Sequence, residues 1–252
     1  MAKMHADHCR SNAMTASSAP APETLHPSLW RASQLARADV RCIDTGHVAL
    51  SGQLPGTGWP VGTLIDLLVQ QPGIGEIRLL APALASVAKR SIVMVEPPQA
   101  PQAIALASLG LAPSKLIWIR APRSADALWS VEQVLKSGAC GAVLFWQPHI
   151  RAESLRRLHL AAQQGETLFF MFRPLSAAQD TSPAPLRLSL RPAQGGIEIG
   201  FVKRRGPQRD EPLFLPMSIP TMTPNIPSRP ALVPRPVPRP AVTADRAGEL
   251  VR

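Results

Sequence analysis

Short apolar runs bounded by Gly, Pro and small polar residues recur along the middle of this chain, and between them apolar positions return with helical spacing. The first run, about residues 63–68, is apolar except for Thr63 and Asp66 and reads as a buried strand. A helix over about 75–89 follows, with Ile77, Leu80, Leu84 and Val87 on one face; Pro82 inside it predicts a kink or a late start. Ser91–Val95 is a second strand, and a helix over about 101–109 stops at Gly110. Lys115–Ile119 is the third strand; Ser124 is placed as the cap of a helix running to Lys136 and ended by Gly138. Gly141–Trp146, a helix over 152–164 and Thr167–Phe172 complete the alternation. Strands that alternate with short helices predict an α/β fold, a mostly parallel sheet with helices on both faces.

After Arg173-Pro174 the period drops to two. Leu186–Arg191 and Ile197–Val202 alternate apolar with polar residues around Gly195-Gly196, which predicts a C-terminal antiparallel hairpin extending the sheet. The ends lack such patterning. Residues 1–28, rich in Ala, Ser and Pro, read as a disordered leader, and Leu29–Arg41 as a short helix laid on the core. The core is bounded at 29–215. Beyond it, 216–252 carries nine of the 28 prolines and reads as an extended, disordered Pro/Arg-rich tail.

With 252 residues and 45% apolar content, the chain can bury one sizeable core between these ends. No stretch approaches the ~18 apolar residues of a membrane span, and the first residues lack the apolar centre of a signal peptide. Cys9, Cys42 and Cys140 fit neither a disulfide framework nor a zinc pattern, so a cytoplasmic protein with reduced thiols is expected. The net charge of +10 admits DNA or an acidic partner. The absence of tyrosine weakens any reading based on base stacking.

The loop after the first strand has the layout of a phosphate-binding P-loop without its chemistry. In the pattern G-x-x-x-x-G-K-[ST], the second glycine is Gly75, the first falls on Gln70, the lysine on Glu76 and the hydroxyl residue on Ile77. Glu76 brings negative charge to where lysine meets phosphate, and Ile77 has no hydroxyl for Mg²⁺. The alternative at this stretch is a βα turn that happens to hold two glycines. No metal-binding spacing, nucleophile signature or cofactor site emerges elsewhere, so a non-enzyme without cofactor or metal is expected. The candidate contact residues are basic: Lys203, Arg204 and Arg205 leaving the last strand, and Arg156 and Arg157 on one helix. A solvated cationic edge is the competing reading of all five.

Residues 45–207 resemble the RecA-like core in Thr45-Gly46, the Gly58-Trp59-Pro60-x-Gly62 lead-in, the P-loop position and Val202-Lys203-Arg204-Arg205-Gly206-Pro207. From Gly62 to Pro174, including Phe172-Arg173-Pro174, the chain is also similar to the SulA family of SOS-induced division inhibitors. Together with Ser137–Val143, these pieces look most like the ImuA family, RecA-like proteins associated with translesion synthesis. That resemblance makes Trp146 a degenerate Walker B position and puts Glu96 where a water-orienting glutamate would lie. It implies an ATPase-dead accessory protein of SOS-linked translesion DNA synthesis and error-prone repair, placed in the cytoplasm or on the nucleoid. Its implied partners are an inactive Y-family polymerase homologue (ImuB-like) and an error-prone DnaE-type polymerase, with RecA as a further candidate. The alternative is a SulA-like inhibitor binding the division protein FtsZ.

Overall fold

Residues 63–69 are buried at every position, and the sheet is built outward from them. In the computed structural model, which describes residues 41–206 and 209–217, they form β3 (Thr63–Val69). A strand with no polar face can exist only with cover on both sides. β3 pairs in parallel with β7 (Leu168–Pro174) on one side and β8 (Leu186–Ala193) on the other. Beyond β7 lie β6 (Cys140–Trp146), β4 (Ser91–Val95) and the edge strand β5 (Leu116–Ile119), all parallel. Beyond β8, β9 (Gly196–Lys203) and β10 (Leu213–Pro216) run antiparallel, giving eight strands in the order β10-β9-β8-β3-β7-β6-β4-β5.

Alternate residues of the central strands feed two cores. Ile65, Leu67, Phe170 and Phe172 pack on one face with Leu79, Leu80, Ala83 and Leu84 of α2 (Glu76–Val87). Leu106 of α3 (Ala103–Ser108) joins that face. Leu64, Phe169 and Met171 pack on the other face with α4 (Ser124–Ser137) and α5 (Ala152–Ala162). The structure is therefore an α/β fold with a mostly parallel sheet, helices on both faces and a C-terminal antiparallel hairpin. Within the described residues no helix is long and apolar enough to cross a membrane.

Several expectations need correction. Ser124 does not cap α4; it is the first helical residue, and Arg123 holds the capping position without a side-chain bond. α2 starts at Glu76 and runs unbroken past Pro82, so there is no late start. The proline is tolerated because its ring packs on the segment before the sheet. A Cβ at Gly46, whose φ is +76°, would lie 2.2 Å from the Pro82 Cβ. That segment is ordered: β1 (Cys42–Ile43) pairs with β2 (Trp59–Pro60), around the single-turn α1 (Val48–Ser51). Thr45 is fully buried, and Trp59 meets Phe170 edge-on at 5.3 Å.

β10 has no counterpart in the sequence reading. Pro216 still pairs with Gly196, and Met217 is buried, so the folded part passes the predicted boundary at 215. The predicted leader, nearly all of the 29–41 helix and the tail beyond Met217 lie outside the described residues.

Candidate functional site

The 70–77 loop joins β3 to α2, and backbone donors within it are already in use. Gly75 adopts φ +111°, a left-handed conformation open to glycine, and precedes α2 as its cap. Glu76, 4% exposed, turns its carboxylate back into the loop. Oε1 accepts the Gly73 N–H at 2.8 Å and Oε2 the Gly75 N–H at 3.1 Å. Backbone N–H groups at a helix start form an anion site; here the anion is the chain's own side chain. Ile77 is half-buried against the apolar core, and Gln70 is exposed at the end of β3. Gln70, Gly75, Glu76 and Ile77 lie along this one connection, where the Glu76 carboxylate ligates the loop's own N–H groups.

Trp146 ends β6 and stacks on Phe172 of β7, with ring centroids 4.4 Å apart and planes 10° from parallel. Its indole N–H is buried and has no acceptor among the described residues. Glu96 sits just past β4 with φ +52°, which is unusual for a side-chain-bearing residue. Its Oε1 accepts the Ala121 N–H, and its own N–H bonds to Ile119 O at 3.1 Å. Both bonds tie β4 to the turn after β5, which gives Glu96 a structural use. These residues border a cleft of about 1050 Å³ at the carboxyl ends of β3, β4, β6 and β7, where open α/β sheets receive ligands.

Of the predicted basic residues, Arg157, Lys203 and Arg204 hold separate structural bonds, while Arg156 and Arg205 are exposed. Arg157 donates to Glu132 Oε2 at 2.6 Å and Lys136 to Oε1 at 2.8 Å, clamping α4 to α5. The Lys136 bond, then that of Arg157, holds the Glu132 carboxyl below its ordinary range against the opposing effect of burial. Arg156 is exposed on α5. Lys203 Nζ donates to Ser182 O at 3.1 Å. Arg204 donates to Gln53 O and lies over the Phe201 ring at 4.9 Å, whereas Arg205 is exposed. Lys203 also helps to keep the His159 pKa low, though burial is the larger cause. His159 Nδ1 lies 3.4 Å from the Leu64 N–H, which binds α5 to β3.

The strongest electrostatic feature escaped the sequence reading. Asp66, fully buried in β3, accepts Arg173 Nε at 3.0 Å and Nη2 at 2.6 Å from β7, and Arg187 Nε at 3.0 Å from β8. Arg187 also donates to the carbonyls of Ala177, Ala178 and Asp180, and Arg173 to the Asp180 carboxylate. The 175–180 segment is thereby pinned to the sheet. The signal was available: a lone acid within an apolar strand needs a cation, and Phe172-Arg173-Pro174 supplies one.

Burial pushes both thiols up, that of Cys140 in the core and that of half-buried Cys42, which leaves neither an activated nucleophile. The described residues hold no cluster of three or more His, Cys, Asp or Glu side chains fit for a metal.

No family model matches the chain. Among curated proteins it is similar to the cell division inhibitor SulA of Yersinia enterocolitica, 30% identical over 117 residues covering 46% of this chain and 70% of that relative. The chain belongs to the SulA family. The SulA of Photorhabdus laumondii is 34% identical over 85 residues, 34% of this chain and 48% of that relative; for Edwardsiella piscicida the figures are 32% over 69 residues, 27% and 41%. This SulA-family chain thus spans about half the length of those two relatives. More than half of it lies outside each match.

Proposed function

We propose that the protein acts in the cytoplasm during the SOS response as a binding protein that neither uses nucleotide nor catalyses a reaction. One observation carries this reading: Glu76 fills the anion site of the 70–77 loop with its own carboxylate. A nucleotide would have to expel a buried, doubly bonded acid while meeting its charge. At about 4 Å and an effective dielectric near 20, one such like-charge contact opposes binding by ~4 kcal/mol. Titration with a fluorescent ATP analogue and Mg²⁺ tests it; tight saturable binding would overturn it.

For the target, the SulA relatives favour a division inhibitor that contacts FtsZ. A second reading is supported by the β8–β9 hairpin and the segment from Thr45 to Gly62, the two stretches that carry the ImuA resemblance beyond the SulA one. It is an accessory role in translesion synthesis beside an ImuB-like polymerase homologue and a DnaE-type polymerase, with RecA or DNA met through Lys203, Arg204 and Arg205. Affinity capture of the full chain from DNA-damaged cells separates the two. Recovery of FtsZ, with filamentation on overexpression, supports inhibition of division. Recovery of the polymerases, with loss of damage-induced mutagenesis on deletion, supports the translesion role.

A further inference from the structure

We propose that the cleft at the carboxyl ends of the parallel strands receives an acidic, extended peptide segment of a partner protein, anchored by one apolar side chain. The proposal rests on the reading of the protein as a nucleotide-independent binder, and adds a site and a ligand chemistry to it. The cleft, about 1050 Å³, is ample for a short peptide segment. The stacked Trp146–Phe172 pair and Ile150 furnish an apolar wall. The buried Trp146 indole N–H, which has no acceptor among the described residues, is an unused donor within that wall. Five prolines (Pro72, Pro98, Pro122, Pro148 and Pro174) stiffen the border, so that little ordering is needed on binding.

The charge around the cleft selects an anionic occupant. Arg123, Arg151 and Arg173 line it against one carboxylate among the described residues, that of Glu96, which is held by the Ala121 N–H. Arg173 is committed to Asp66, and Arg123 bonds Asp126; Arg151 pairs with no carboxylate among the described residues. α4 and α5, of 14 and 11 residues, both begin at the cleft, and neither start has a side-chain cap. Their N–H groups and dipoles therefore favour negative charge there. The first-turn acids Asp126 and Glu153 do not line the cleft.

Nucleotide phosphates would want the loop donors that Glu76 occupies, and a nucleic-acid backbone would want a run of uncommitted cations, whereas Arg123 and Arg173 are already paired with Asp126 and Asp66. Side-chain carboxylates flanking an apolar anchor suit both the positive border and the aromatic wall.

The probe is a fluorescent peptide of about eight residues, Asp and Glu around one central Leu, titrated into the full-length protein. Saturable binding is expected, weakening severalfold between ~50 and ~200 mM salt. The indole N–H resonance assigned to Trp146 by its loss in Trp146→Phe should shift on titration. Arg151→Glu, an exposed change, should lower affinity at least tenfold, and Leu→Gly in the peptide should do the same. The cleft proposal falls if the Trp146 resonance stays fixed while peptide saturates, if Arg151→Glu binds like the unaltered protein, if a Lys-based peptide with the same anchor binds equally, or if ATP displaces the probe. Partner capture that survives in a protein binding no acidic peptide also overturns it, yet leaves the broader reading of a nucleotide-independent binder standing.

Discussion

Two buried carboxylates ten residues apart, Asp66 in β3 and Glu76 at the head of α2, are neutralised in opposite ways. Asp66 lies mid-strand, where the backbone is consumed by the sheet, and only side chains can reach it. It draws in two arginines from neighbouring strands and so fixes which strands adjoin it. Glu76 lies where a loop becomes a helix and backbone N–H groups are left over, and it needs no cation. The first arrangement holds the sheet together. The second disables a site.

The contrast predicts a graded series. Asp66→Ala should destabilise most, by about 3–5 kcal/mol, because it leaves Arg187 buried without a carboxylate and Arg173 with only its bond to exposed Asp180. The change is measured by urea unfolding. Replacing Asp66, Arg173 and Arg187 together by Leu, Met and Met should recover most of that loss; failure to recover would mean that the triad specifies strand pairing beyond its charge balance.

Glu76→Ala should cost less, about 1–3 kcal/mol, since only two backbone donors lose their partner. It should also open the loop to an external anion. Sulfate is expected to raise the melting temperature of this variant and not of the parent; an equal response would show that Glu76 does not occupy the anion site.

A smaller effect is expected at half-buried His159, whose folded pKa lies below 6.5 through burial and then Lys203. With the folded value depressed, the unfolded chain takes up the proton first. Stability contributed by the neutral ring is complete above pH 6.5 and declines as pH falls toward the folded pKa. Unfolding midpoints followed from about pH 7.5 to about pH 5.5 should fall less steeply in His159→Gln.

Least of all should fold stability respond to charge reversal at exposed Lys203 and Arg205, by about 0.5 kcal/mol or less. Association with DNA or an acidic partner should instead weaken and lose salt dependence, as read from binding at two salt concentrations. A large fall in melting temperature would assign these residues to the fold rather than to a surface.

The helices and strands of the βα alternation could be read along the chain because each signals itself locally. Leu64–Val69 is too apolar for anything but a buried strand, and Gly110 and Gly138 stop helices through their own backbone freedom. β10 and the β1–β2 ribbon could not be read this way. Two to four residues carry too little periodicity, and Leu215 and Met217 count as core only once β9 lies beside them.

The candidate site divides along the same line. The sequence by itself determined that the 70–77 loop lacks a phosphate-binding lysine and a metal-binding hydroxyl, since those are properties of single residues at fixed spacing. Only the tertiary structure decided that the Glu76 carboxylate folds back onto Gly73 and Gly75, and that exposed Arg157 bridges two helices through Glu132. It also decided that Asp66, Arg173 and Arg187, more than a hundred residues apart at the extremes, share one buried charge centre. Strand register determines which side chains meet, and register is set by the packing of both faces at once.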